Sequence, residues 1–210
     1  MDVTWFSQSA FLFEGEGKTI YIDPYKVVSK RKADLILVTH SHYDHMDPQT
    51  IAALSGSKTT VVGPRDVQNN LKQEIVSVEP STEHVFDDVV VCVVEAYNIH
   101  RTAHPRGFGV GYVMELEGKR IYHAGDTDVT PKMLSLKDID LALLPVGGCF
   151  TMDWREASQA VKSFKPEFAA PMHYGSVVGS KKDAKAFKRQ VESETATRAI
   201  VFESGEKISL

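Results

Sequence analysis

Residues 35–48 read Leu-Ile-Leu-Val-Thr-His-Ser-His-Tyr-Asp-His-Met-Asp-Pro, and their reading decides the fold. Leu35–Thr39 is a continuous apolar and β-branched run, the pattern of a strand buried on both faces. It runs directly into His40-Ser41-His42-Tyr43-Asp44-His45. Asp47 then offers an N-cap and Pro48 a first-position proline, so the spacing predicts a helix from Pro48. Three imidazoles and a carboxylate thus fall between a buried strand and a helix. The C-terminal end of a strand is where α/β proteins gather ligands. Chance would place HxHxDH in roughly one in a thousand chains of this composition. Neutral imidazole and carboxylate are natural ligands of zinc and its borderline neighbours.

Working outward, short β-branched or aromatic runs separated by turn residues predict strands at Val3–Phe6, Ala10–Glu14 and Thr19–Asp23, with a hairpin loop over Glu14–Lys18. Downstream, strands are expected at Thr59–Gly63, Ile75–Val78, Val89–Ala96, Val110–Glu117 and Arg120–His123, and a helix at Pro64–Lys72. The second half repeats the theme. Asp140–Pro145 and Phe168–Pro171 read as strands. Asp153–Phe164 reads as a helix opened by a capping box between Asp153 and Glu156. Ser180–Ser193 is an amphipathic, lysine-rich helix. Ala199–Phe202 and Glu206–Ser209 are expected to close the chain as a hairpin around Ser204-Gly205. Strands first and helices later in each half predict two packed sheets with helices outside, a four-layer α/β sandwich.

Composition bounds the class. The 210 residues, 42% hydrophobic and 25% charged, suit a single domain over residues 1–210 and exclude a largely disordered chain. No apolar run approaches the ~18–20 residues a membrane span needs. A net charge of −4 gives no general attraction to nucleic acid. Met1–Trp5 has neither a basic nor an apolar leader region, so no signal peptide is expected. Two cysteines without a CxxC predict no disulfide framework, and a cytoplasmic location follows as the expectation.

More metal-type acceptors stand at strand ends. Asp126 follows the strand ending at His123, His173 follows Phe168–Pro171, and His104 lies in His104-Pro105-Arg106-Gly107. His100 competes with His104, while His84 reads as a structural histidine on a hairpin and His123 as either a support or a core residue.

HxHxDH, a later histidine, Gly125-Asp126-Thr127 and a final histidine after a strand resemble the metallo-β-lactamase superfamily over most of the chain. Within it, the chain is similar to small stand-alone metal-dependent hydrolases related to ascorbate-6-phosphate lactonase. The supporting residues are Ala96-Tyr97-Asn98, His104-Pro105, Gly109–Tyr112, His123–Asp128, Leu144–Gly148 and Pro171–Gly175. The resemblance implies an αβ/βα fold and two divalent metal ions, zinc by default, with manganese, iron or nickel as alternatives. It implies that His40, His42 and His104 bind one ion, that Asp44, His45 and His173 bind the other, and that Asp126 bridges them. The bridging hydroxide would be the nucleophile, held in line by the catalytic Asp44. Asp23 would support the HxHxDH loop by hydrogen bonds, and Asp128 would do the same or be a plain turn residue.

One departure stands out. Relatives often carry a histidine in a Gly-His-Ala/Ser segment after the first strand, where this chain has Ser7-Gln8-Ser9. Gln8 can hydrogen-bond but cannot act as a general acid; if that histidine protonates a leaving group in relatives, Tyr174 or Tyr43 could substitute, the alternative for either being simple packing. Arg106, or Arg101, flanking His104, would meet an anionic substrate group. Lys26–Lys32 reads as a solvated basic loop, and Cys149 as structural. The expected function is hydrolysis of an ester-type bond, lactone or phosphodiester, in a small-molecule substrate. The alternatives are a nuclease or phosphodiesterase acting on nucleic acid, for which so short an acidic chain leaves little room, and a non-catalytic metal-binding regulatory module, towards which Gln8 points. Oligomeric state has no sequence signal.

Overall fold

Period-two alternation of apolar residues gives each early strand two buried faces. The computed structural model describes residues 1–210. Strands β1 (Asp2–Ser7), β2 (Ala10–Gly15), β3 (Lys18–Ile22), β4 (Leu35–Leu37), β5 (Thr60–Pro64) and β6 (Val76–Val78) lie side by side in the first sheet. Strands β7 (Glu83–Phe86), β8 (Val89–Ala96), β9 (Gly109–Leu116), β10 (Lys119–His123), β11 (Leu141–Pro145), β12 (Phe168–Met172) and β13 (Arg198–Ala199) form the second. The last strand, β14 (Lys207–Ser209), returns to pair with β1. Each sheet opens as an antiparallel meander and continues as parallel strands, from β3 in the first and from β10 in the second.

Phe11, Phe13, Ile20, Ile22, Leu35 and Leu37 point into the core shared with the second sheet. Their alternates Leu12, Tyr21, Ile36 and Val38 point outward and pack with Ile51, Leu54 and Val67 of helices α1 (Pro48–Leu54) and α2 (Arg65–Asn70). Helices α3 (Pro131–Leu134), α4 (Trp154–Phe164) and α5 (Lys181–Glu194) cover the second sheet, burying Val161, Phe164, Phe187 and Val191. The four layers are those the sequence predicts. Asp47 caps α1 from its side chain, and Asp153 and Glu156 form the predicted capping box of α4.

Two local expectations are corrected. Strand β4 stops at Leu37, because the Thr39 N–H leaves the ladder to donate to the Asp23 carboxylate. The C-terminus is not a hairpin: β13 runs parallel to β12 in the second sheet, whereas β14 pairs with β1 in the first. Phe202 is buried where the connection crosses the core, so the two strands have different partners. No helix is long and apolar enough to cross a membrane.

The strand ends that matter converge on one edge of the sandwich. There Gly125 (φ +63°) turns the chain out of β10, and a β-carbon on it would lie 2.6 Å from the Val110 carbonyl oxygen. Only glycine fits that approach and that dihedral. Gly125→Ala is therefore expected to cost about 2–4 kcal/mol in urea unfolding. An unchanged midpoint would show that the turn tolerates a side chain.

Candidate metal centre

The loop after β4 delivers His40, His42, Asp44 and His45, the turn after β10 delivers Asp126, and the residue after β12 is His173. His104 comes from the segment joining β8 to β9. The structure brings all seven together. His40 Nε2 lies 3.0 Å from His42 Nδ1, and His104 Nε2 lies 3.1 Å from the same atom. Two nitrogens bound to one tetrahedral zinc at 2.0–2.1 Å would stand about 3.3 Å apart. Asp44, His45 and His173 form a second group, and His45 and Asp126 form a third with His40.

Asp126 stands between the groups. Its Oδ2 is 3.2 Å from His104 Nε2 and 3.1 Å from His173 Nε2, and its Oδ1 is 3.3 Å from His45 Nε2. Asp44 Oδ2 lies 3.5 Å from His173 Nε2 and 3.8 Å from His45 Nε2. His45 Nε2 and Asp126 Oδ1 are both buried and have no hydrogen-bond partner. Such orphaned atoms are costly unless something coordinates them. The donor set of imidazole and carboxylate fits a zinc-like ion.

The far side of most rings is held. His45 Nδ1 donates to Asp23 Oδ2 at 2.7 Å. The Thr39 hydroxyl donates to the same carboxylate oxygen at 2.7 Å and accepts from His40 Nδ1 at 3.0 Å. His104 Nδ1 faces Asn98 Oδ1 and the Phe150 carbonyl, at 3.2 and 3.3 Å. Each ring thereby turns a lone pair inward. His173 Nδ1 is buried with no partner behind it. Gln8 is fully buried, and its Nε2 donates to Asp44 Oδ2 at 2.8 Å.

Electrostatics sort the rings into two kinds. Burial, then the charge on His45, pushes His40 well below the ordinary histidine range, and burial with His104 lowers His42. Both offer neutral lone pairs. Burial works against ionised Asp126, but the charges on His173 and His45 prevail and hold it well below the carboxylate range. Burial also disfavours charged His45 and His173, yet Asp126 and Asp23 lift the first well above its ordinary value. Asp126 and Asp44 lift the second to about 9. Asp44 falls to about 2, because its hydrogen bond to His173 and the charge on His45 overcome its burial.

Other expectations are sorted by position. Arg106 turns away and forks onto Glu95, with contacts of 3.0 and 2.6 Å. Arg101 is tied to Asp128 and Glu156. Tyr174 is buried, stacked on Trp5 at 5.2 Å, with its hydroxyl on the Phe202 carbonyl, so it does not stand in for an acid. His100 is exposed, and His84 sits on β7 beside Thr82. His123 is a core histidine, with Nε2 on the Ser9 carbonyl. Asp128 is more than a turn residue: it accepts from Ile99 N, His100 N, Asn98 and Arg101, and so fixes the segment that carries His104. Sequence reasoning gave no role to Asn98, to Thr39 as relay, or to Asp66, which accepts from Ser41 N at 2.7 Å. Nothing in the local pattern marks Thr39 or Asp66, and Asn98 stood out only within the Ala96-Tyr97-Asn98 stretch that supports the resemblance.

Two outcomes follow. Asp23→Asn removes the acceptor behind two rings and should weaken zinc binding about 10- to 100-fold by competition with a chelator. An unchanged affinity would exclude the supporting role. In chelated protein, His173 is raised from 6.5 to about 9, so its protonated form stabilises the fold fully below 6.5, and that contribution is lost as pH rises through about 9. The Tm of the chelated protein should fall across that window, whereas the zinc-loaded protein should not show this fall.

The family model for the Beta-lactamase superfamily domain matches residues 2–173. The chain is 37% identical to a UPF0173 metal-dependent hydrolase of Thermococcus kodakarensis, with 99% of each chain covered. Identity is 36% to a UPF0173 metal-dependent hydrolase of Pyrococcus furiosus, again over 99% of each. Among solved structures, the metallo hydrolase Igni18 of Ignicoccus hospitalis superposes with a TM-score of 0.83 at 29% identity, covering 99% of this chain and 97% of that one. Matched along nearly its whole length in sequence and in fold, the chain belongs to the β-lactamase superfamily and, within it, to the UPF0173 metal-dependent hydrolases.

Proposed function

We propose that this metal-dependent hydrolase uses a two-ion centre to cleave an ester-type bond, lactone or phosphodiester, in a small substrate. His40, His42 and His104 would hold one ion, Asp44, His45 and His173 would hold the other, and Asp126 lies between the two groups. The observation that carries this reading is Asp126, whose two oxygens face histidines of both groups while Oδ1 remains buried and unpartnered. Zinc is the default ion for this donor set, and manganese, iron or nickel would also suit it. When bound, such a pair supplies a hydroxide nucleophile at neutral pH and polarises the substrate oxygen.

The chain's own residues do the positioning. Asp44 is half in the centre and half in the cavity above it, and the Gln8 amide fixes the direction of its Oδ2. An ionised carboxylate there accepts a hydrogen bond from the attacking oxygen and holds it toward the substrate. The nuclease reading has little support, because Arg101 and Arg106 are both engaged with carboxylates and offer no track for a polymer backbone.

The test begins with elemental analysis of protein purified without chelator or a metal-binding tag. About two ions per chain are expected, falling to one or none in Asp126→Ala. Asp44→Ala should retain at least one ion and lose about 10²–10⁴-fold in kcat on a lactone or ester that the parent protein turns over. One ion per chain after reconstitution, with activity intact, would sink the two-ion reading. Two ions without turnover on any ester would favour the regulatory module.

A further inference from the structure

We infer that the mouth of this centre selects a neutral ester or lactone bearing an aromatic or branched apolar group, and disfavours one bearing a remote anionic group. This rests on the hydrolase reading above and narrows it. A cavity of about 450 Å³ opens over Asp44, Asp126 and His173. That volume suits a small molecule. Apart from the proposed ligands, its wall is Tyr43, Ala103, Phe150 and Val177, none of them charged. Tyr43 is 65% exposed and Phe150 43%, so two large aromatic rings stand in water at the entrance. An apolar substrate group covering them gains the free energy of burial.

The Tyr43 ring and the Phe150 backbone are each anchored. Tyr43 meets Tyr25 edge-on at 6.1 Å. Phe150 is fixed through its carbonyl, which accepts from Asn98 Nδ2 at 2.9 Å and faces His104 Nδ1. One ring therefore comes from the loop after β4 in the first sheet and the other from the loop after β11 in the second. Both line the same cavity.

The cations that would greet an anion are spent elsewhere. Arg101 is held between Asp128 and Glu156, and Arg106 is forked onto Glu95. Lys26 lies over the Tyr25 ring, 4.8 Å from its centroid, outside the wall. A carboxylate or phosphate away from the reacting bond would lose water here and meet no partner. A methylene buried against the same wall raises kcat/KM about fourfold.

Two measurements on zinc-reconstituted protein test this. The first compares 4-nitrophenyl acetate, 4-nitrophenyl butyrate and mono-4-nitrophenyl succinate. Butyrate, longer by two methylenes, should exceed acetate about fifteenfold in kcat/KM, and the succinate half-ester, of similar length but charged, should fall at least tenfold below butyrate. Phe150→Ser and Val177→Ser should erase the butyrate preference through KM. The second is calorimetric binding of benzohydroxamic acid and 4-carboxybenzohydroxamic acid, which share a chelating group and differ in a remote charge. The neutral compound should bind at least tenfold tighter, and Phe150→Ser should weaken it. Equal or tighter binding of the charged compound, or succinate half-ester turnover matching butyrate, overturns the inference while leaving the hydrolase reading standing. Failure of every ester to turn over, with the hydroxamate preference intact, removes the hydrolase reading and keeps the selective mouth.

Discussion

The buried carboxylate of Asp23 is the interaction on which the centre depends. It is fully excluded from solvent, and a carboxylate so placed is costly unless its oxygens are filled. They are filled by Thr39 N–H, the Thr39 hydroxyl and His45 Nδ1, each at 2.7 Å. Those same bonds end β4, orient His45 directly and orient His40 through the hydroxyl. A single buried charge thus links the first sheet to two of the ring directions. Asp128 does the corresponding work for the second sheet. It gathers Ile99, His100 and Arg101, and through Asn98 it sets His104, whose N–H donates to Asn98 Oδ1 at 2.9 Å. Neither carboxylate belongs to the proposed ligand set, yet together they decide where three of the five proposed histidine ligands point.

Backbone strain collects at the same place. Ten non-glycine residues have positive φ, and seven of them, such as Glu16, Asp87 and Lys165, are exposed turn or cap residues. The other three, Gln8 (φ +53°), Asp23 (φ +48°) and His173 (φ +58°), are buried at the centre. The left-handed conformation costs about 1–2 kcal/mol for each such residue. Two of the three compensate one another: the His173 N–H donates to the Gln8 carbonyl at 2.9 Å, and Trp5 Nε1 donates to the same oxygen at 3.1 Å. The strain aims side chains that regular strands would have turned into the sheet faces.

What the sequence made legible was what is local. HxHxDH, the Asp47-Pro48 helix start, the Asp153–Glu156 capping box and the alternating strands each announce themselves within a few residues, and the structure places them as read. Asp126 and His173 were legible because each directly follows a strand and lies in a motif that the resemblance explains. The His-Pro context was the sequence's only pointer to His104 over His100; in the structure Asn98 holds His104 beside His42, while His100 is exposed. The C-terminal hairpin was misread because turn residues at Ser204-Gly205 say nothing about which sheet each flanking strand will join. The partners of the arginines were not legible, because proximity in sequence to His104 carries no information about Asp128, Glu156 or Glu95. The apolar mouth was invisible for the same reason, since Ala103, Phe150 and Val177 meet only through tertiary convergence.

Gln8 gathers these strands of argument into one residue. A histidine at this position could donate to Asp44 only when the ring nitrogen facing it carries a proton, and its charge would change with pH. The glutamine amide donates from Nε2 whatever the pH, and an ionised Asp44 can only accept. The orientation of the amide is therefore fixed by its neighbour, and its Oε1 is left buried without a partner. That unpaired oxygen is a standing cost of about 1–3 kcal/mol. The chain carries it at a strained backbone position whose carbonyl also anchors His173. A residue that binds two proposed ligands, one through each end, has a positioning role that does not require proton transfer. The departure from histidine thus removes a titrating group from the centre without loosening its geometry. Any proton needed by a leaving group must then come from Tyr43 on the cavity wall, from within the centre or from solvent, since Tyr174 points into the core and Gln8 has none to give.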